Sequence, residues 1–359
     1  MAGKPFRNLP DDAARKAQVI SALRSSRTRA EAASELQVGL GSLDHTCKVY
    51  GIDIRAELGR GEESVTVDAP PPSGLTPDEL VANLKIRYAR LAVADEARKL
   101  VPVRIASDMP IGLLAFGDLH LDDPGCNIEL AEKHANLVRS TPGLWAITPG
   151  DFLNNWIGKL ARLHGNQSVT REEGYALVEW FIELARDWLV AVLGNHDVWT
   201  DDQGKLTEWI AKKSGAWSQK HDVRLALRFS NGREVRLHCR HEFPGGSIYN
   251  DVHGELRAAI FGHRDHIKLG GHKHTSGYHI AADPDTGIAM HLLKVHGYKR
   301  HDDHARKEGY LEKYLGPSAA IVIDPRLPDT HPDLVHVFRD PEEGADYLSF
   351  KRKRRRVAA

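Results

Sequence analysis

The sequence predicts an α/β protein with a small all-α region in front of it. Two observations carry this. From about residue 108, apolar runs of strand length alternate with stretches of helical spacing, the pattern of a layered α/β domain. Before residue 60, three short helical stretches follow one another with no strand between them. At 359 residues, 41% of them hydrophobic, the chain can bury a sizeable core.

The first helix is expected over 11–26, where Val19, Leu23 and several alanines share a face. Thr28 is placed to cap a second, "RAEAASELQV", and Ser42 to cap a third, "SLDHTCKVYG". With Ala32, Ala33, Leu36, Leu43, Tyr50, Gly51 and Ile52, the segment resembles a helix-turn-helix. Gln37 stands where that motif usually has glycine, and the glycines fall at 39 and 41, so the turn is expected to be reshaped. The resemblance implies a DNA-reading third helix exposing Asp44, His45 and Lys48, with Ser42, His45 and Lys48 as the candidate contacts. Residues 61–75 read as an acidic, then proline-rich linker. Thr76, Pro77 and Glu79 open a connecting helix with an apolar stripe at Leu80, Leu84, Tyr88 and Leu91, suited to docking or dimerisation. The expected division is thus 1–60 for the helix-turn-helix, 61–107 for linker and helix, 108–340 for the α/β domain, and 341–359 for a basic tail.

Charge is balanced overall but uneven. Residues 1–60 hold ten Lys/Arg against seven Asp/Glu, and "KRKRRR" at 351–356 adds six positive charges, so an acidic body lies between basic ends. Such ends suit a phosphate backbone, so DNA is the expected partner. Three scattered cysteines exclude a disulfide framework and fit a reducing, cytoplasmic setting. No apolar run of 18 residues predicts a membrane span, and the first residues lack the apolar stretch of a signal peptide.

The chemistry is concentrated where apolar runs stop. "IGLLAFGDLHLDD" delivers Asp118 and His120; "LWAITPGDFLNNW" delivers Asp151; "WLVAVLGNHDVW" delivers Asn195, His196 and Asp197. "EVRLHCRHEF" runs into His241, preferred over His238 because the latter lies inside the strand, and "IKLGGHKHTSG" ends in His272 and His274. Ligands of α/β sheets gather at carboxyl ends of strands, so these ends can converge.

This series resembles the calcineurin-like metallophosphoesterases over residues 112–275. The resemblance implies a four-layer αββα sandwich holding two divalent ions (Mn, Fe or Zn). Asp118, His120 and His274 would hold the first, Asn195, His241 and His272 the second, and Asp151 would bridge them. His196 would give a proton to the leaving group, with Asp197 orienting its ring. Two such ions lower the pKa of a shared water and clamp the phosphoryl oxygens. His263 and His266 imitate the final motif and are read as decoys near the site; His291, His296, His301 and His304 are read as surface or substrate-side groups. "GDFLNNW" lacks the arginine of the protein phosphatases, with Asn154, Asn155 and Trp156 in its place, and "GNHD" resembles the nuclease and phosphodiesterase branches. The expected activity is a phosphodiesterase or nuclease; the alternative is a phosphatase whose helical head binds protein.

Overall fold

A computed structural model describes residues 12–60, 74–199, 205–300 and 316–358. The chain forms two compact units, Met1–Asn83 and Leu84–Ala359.

In the first unit, α1 (Asp12–Ser25), α2 (Arg29–Glu35), α3 (Leu40–Tyr50) and the single turn α4 (Ile54–Glu57) enclose a core of their own. Its members are Val19, Ala22, Leu23, Ala32, Ala33, Leu36, Leu43, Cys47 and Ile52. Thr28 caps α2 by accepting from Glu31 N at 3.2 Å. Gln37 takes φ 56°, the left-handed conformation glycine favours, and the turn closes through Gln37 N to Ser34 O and Val38 N to Ala33 O. The shift of glycines to 39 and 41 leaves this turn to a glutamine, at a cost of about 1 kcal/mol. Ser42 is not the cap of α3. The helix starts earlier, on Gly39, and Ser42 lies inside it with its carbonyl accepting from Thr46 Oγ1. Ser42, His45 and Lys48 are all exposed, whereas Asp44 is half-buried and paired with Arg29 at 3.6 Å.

Most of the expected linker, 61–73, lies outside the described residues. The helix after it, α5 (Pro77–Arg98), opens on the Thr76–Glu79 capping box and buries no residue; its apolar stripe is exposed.

Among the described residues the second unit contains twelve strands in two six-stranded sheets. In chain order its elements are β1 (Val101–Ile105), β2 (Ile111–Phe116), α6 (Ile128–Ser140), β3 (Leu144–Thr148), α7 (Arg171–Ala185), β4 (Trp188–Leu193), α8 (Asn195–Val198), α9 (Lys205–Ser214), β5 (Trp217–Lys220), β6 (Asp222–Phe229), β7 (Glu234–Arg240), α10 (His253–Phe261), β8 (Ile267–Gly270), β9 (Gly277–Ala282), β10 (Ala289–Lys294), β11 (Ser318–Ile323), β12 (Val335–Phe338) and α11 (Pro341–Ala358). One sheet runs β1-β6-β7-β8-β10-β9 and the other β12-β11-β2-β3-β4-β5. Leu113, Ile147 and Val190 of the second sheet meet Leu225, Leu237 and Leu269 of the first in a shared core. On the far face of the second sheet, α6, α7, α9 and α11 cover Phe116, Leu144 and Trp188. On the far face of the first, α10 packs Ala259 on Met290 and Leu292. The layers are therefore helix, sheet, sheet, helix.

Two expected boundaries move. β1 precedes residue 108 yet belongs to the sandwich, pairing in parallel with β6 from Val101↔Leu225 to Ile105↔Phe229. The segment read as a tail from 341 is the helix α11, anchored by buried Ala345 and Leu348. Its first basic residues are used inward: Lys351 Nζ lies 3.1 Å from Asp324, and Arg352 donates to Pro110 O at 2.6 Å. No helix of the described residues is long and apolar enough to cross a membrane.

Candidate metal centre

The parallel order β2-β3-β4 sets three carboxyl ends side by side, and β7-β8 supplies two more from the facing sheet. Asp118 and His120 follow β2, Asp151 follows β3, Asn195 opens α8 just after β4, His241 follows β7, and His272 and His274 follow β8. Their donor atoms fall into two groups, Asp118–His120–His274 and Asp151–His241–His272, each with its atoms within 4.8 Å of one another. Asn195 joins the second, its Oδ1 2.8 Å from His241 Nε2. Asp151 sits in the second group, and its carbonyl ties it to the first by accepting from Leu119 N and His120 N at 2.9 and 3.0 Å.

These side chains are aimed by backbone that other residues avoid. His120, Asp151, His272 and His274 have φ of 46°, 57°, 70° and 46°. Each such position costs on the order of 1–3 kcal/mol and persists only where the surroundings enforce it. Gly194 shows how tight the enforcement is, since a Cβ there would lie 2.0 Å from Asp151 Oδ1.

The residues fit divalent cations. Asp118 is fully buried, and neither of its carboxylate oxygens has a hydrogen-bond partner. A desolvated carboxylate left so is costly unless a cation takes the place of water. His120 Nε2 faces His274 Nε2 at 3.2 Å, and His272 Nδ1 faces His241 Nε2 at 3.0 Å. His241 gives its other nitrogen to Pro149 O at 3.2 Å, which leaves Nε2 turned toward Asp151 Oδ2 at 3.3 Å. Carboxylate, imidazole and amide oxygen are the mixed donor set that Mn, Fe and Zn accept.

Electrostatics agree. Burial pulls His241 down, but Asp151, Asp118 and Asp197 outweigh it and hold the ring up at about 9. Burial also opposes the charge on Asp151, yet His241, His196 and His120 draw it well below the usual carboxylate range. Burial lowers His120, with Lys299 adding to the effect, and lowers His272, with His241 adding. Neutral imidazoles are the form that binds metal.

His196 lies beside both groups and belongs to neither. Its Nδ1 donates to the carbonyl of Asn154, and its Nε2 lies 4.0 Å from Asp151 Oδ2. The ring is flanked by Trp156 and Trp199, with centroids 5.0 and 4.2 Å away. Asp197 does not orient it. The Asp197 carboxylate accepts from Asp151 N at 2.8 Å, Phe152 N at 3.0 Å and Gly194 N at 3.0 Å, so it fixes the loops that carry Asp151 and Asn195. Burial and then the charge of Asp151 raise its carboxyl above the usual range, against the pull of the Gly194 and Asp151 N–H groups. A cation on Asp151 would cancel the second of those causes.

Asn154 does the orienting. It is fully buried and held at every polar group: N by Asp122 Oδ1 at 2.7 Å, Nδ2 by Asp123 at 2.8 Å, and Oδ1 by Lys299 at 3.2 Å. Lys299 belongs to "HGYK", 296–299, which follows β10 and buttresses the first group. Tyr298 N donates to Asp118 O at 2.8 Å, and the His296 ring lies 5.7 Å from that of His274. The reading of the sequence missed this segment, although "LLKVHGYK" carries the same signal, an apolar run ending on a histidine. His291, within β10, and His296, just past its end, are both buried, so neither is the surface group that was one of the two expectations for them. His301 and His304 lie outside the described residues. His238 stays within β7, bonded to Asp222 at 3.3 Å. His263 is exposed and His266 accepts from Arg236 N at 3.1 Å; both precede β8 and so lie at the end of that strand away from the metal groups.

No protein-family model matches the chain, and no curated protein is similar to it in sequence. Similarity to solved structures is distant. The NAD nucleotidase of Haemophilus influenzae is 8% identical, with 64% of this chain and 49% of that one covered and a TM-score of 0.34. This chain therefore spans about half the length of that protein. A hypothetical protein from Thermus thermophilus is 14% identical over 64% of this chain and 98% of that one, with a TM-score of 0.36. The calcineurin-like phosphoesterase YfkN of Bacillus subtilis is 11% identical over 69% and 97%, with a TM-score of 0.32.

Proposed function

We propose that the chain is a phosphoester hydrolase dependent on two divalent ions, and that it cleaves phosphodiesters of nucleic acid. The observation that supports this best is the convergence of two donor groups at strand ends beside an imidazole that joins neither. Asp118, His120 and His274 would hold one ion; Asn195, His241 and His272 the other; Asp151 would serve both. Such ions supply a water of lowered pKa and screen the phosphoryl charge. The remaining task, a proton for the departing oxygen, falls to His196. With Nδ1 committed to Asn154 O, Nε2 is the atom free to exchange that proton on the side of Asp151. Asn154 and the two tryptophans fix the ring's angle. The preference for a diester rests on the segment after Asp151. Where a monoesterase would present an arginine to grip a dianion, this chain has Asn155 and Trp156, both buried.

A metal-supplemented digest of single- and double-stranded DNA and RNA, run beside bis-p-nitrophenyl phosphate and the mono-ester, tests the reading. Chelator-sensitive cleavage that favours diesters is expected. Turnover of the mono-ester alone would refute the diester assignment and support a phosphatase.

A further inference from the structure

We propose that the turn at 158–166 is a second phosphate-binding element. Its Lys159 and Arg162 would hold the phosphates that continue beyond the scissile bond on the leaving-group side. The inference rests on the diesterase reading above and narrows it to polyanionic leaving groups.

From Phe152 to Arg171 the chain contains no Asp or Glu, and it contains Lys159, Arg162, His164 and Arg171. Gly158–Asn166 folds as a 3-10 helix, in which side chains three apart lie on one face. Lys159, Arg162 and Gly165 are exposed, as are Gly158, Ala161 and Asn166, while Leu160, Leu163, His164 and Gln167 are half-buried. The two cations therefore share one outward face, their Cα atoms about 6 Å apart along the axis. Among the described residues neither is paired with a carboxylate, whereas exposed cations such as Arg228 and Lys273 are.

The turn is fixed to the catalytic side. His164 bonds through both ring nitrogens, to Trp156 O and to Gln167 Oε1, each at 2.6 Å. Gln167 Nε2 donates to Asp122 Oδ2 at 2.7 Å, and the other oxygen of Asp122 holds Asn154 N. Trp156, two residues before the turn, packs its ring on His196, and Asn154 orients the same ring. The two cations thus stand on a braced element next to the group that protonates the departing oxygen. In a polynucleotide that oxygen carries the rest of the strand, with further phosphates. In bis-p-nitrophenyl phosphate it carries none.

The test compares kcat/KM for a six-residue thymidine oligonucleotide with that for bis-p-nitrophenyl phosphate, in the wild type and in Lys159→Ala/Arg162→Ala. The ratio of oligonucleotide to small diester is expected to fall in the variant. Two phosphate contacts at about 0.7 each in the salt slope make the wild-type ratio rise about sevenfold more than the variant's when salt is lowered from about 200 to about 50 mM. Lys159→Arg/Arg162→Lys, which keeps both charges, is expected to restore ratio and slope. A ratio within about twofold of wild type at both salt concentrations overturns the inference. So does a wild type that cleaves the small diester and no oligonucleotide, which leaves the diesterase chemistry standing but not its nucleic-acid substrate. A wild type that cleaves neither removes that reading and this one together.

Discussion

Removing the His196 ring takes no donor from either metal group, so His196→Ala is expected to keep both ions. Turnover is expected to fall by about 10²–10⁴-fold, the range for a positioned general acid, and most for poor leaving groups such as a sugar hydroxyl. Asp197→Asn behaves differently. Its carboxylate accepts three N–H bonds that hold the loops of Asp151 and Asn195. An amide in its place turns a donor toward one of them, costing about 1–3 kcal/mol and loosening the second group. Metal analysis and turnover on one preparation of each variant separate the roles. Loss of a metal from His196→Ala would make it a ligand; full metal content in Asp197→Asn would refute the bracing role. Asp151→Asn, which removes the carboxylate between the groups, is expected to lose at least one ion and most activity.

At the scale of elements, the donors were legible because each follows an apolar run, and a strand that must bury its length can only present polar groups where it stops. The bracing was not. Asp197 meets Asp151 N across 46 positions, and Asn154 O meets His196 across 42, so chain spacing says nothing about either bond. α11 was hidden for another reason: its six consecutive cations resemble a solvated end, and only Ala345 and Leu348, upstream of them, show which face is buried. β1 is five residues long and includes Pro102, which reads as a strand only once β6 is beside it. His134 of α6 is buried, with Nδ1 2.7 Å from Tyr298 Oη and 3.0 Å from Ser318 Oγ. Burial, helped by Lys133, lowers its pKa from 6.5 to about 4. Between those values the unfolded chain binds a proton that the folded one refuses. Stability from this group is complete above 6.5 and is lost as pH falls from 6.5 toward about 4. Urea unfolding of metal-stripped protein is expected to show His134→Gln losing about 2 kcal/mol less than wild type between pH 7 and pH 5. An unchanged pH dependence would mean that His134 is already charged in the fold.

For the whole molecule, what matters is which unit carries which property. The core of the first unit closes on its own residues, and neither large core of the second contains a residue from it. Deleting residues 1–60 is therefore expected to leave the sandwich folded, and hydrolysis of bis-p-nitrophenyl phosphate with it, because every donor lies beyond Phe116. Nucleic-acid binding is the property at risk. On α3, Ser42, His45 and Lys48 line up at three-residue intervals and are exposed, but only Lys48 is a permanent cation, and Asp44 beside them is partly neutralised by Arg29. Such a face gives modest affinity and a shallow salt slope. If α3 lies on duplex phosphates, Lys48→Ala is expected to reduce the slope of log K against log salt by about 0.9, one contact, and to weaken binding alike on unrelated sequences. A loss confined to one sequence would instead assign Lys48 to a base edge. Deletion of 1–60 is expected to remove that contact and every other phosphate contact of the first unit. The slope left over belongs to the second unit, where Lys159 and Arg162 are predicted to supply about 1.4 of it on single strands. A truncated protein that binds duplex DNA with the full slope would move the whole electrostatic footprint onto the sandwich and leave the helical unit to a partner of another kind.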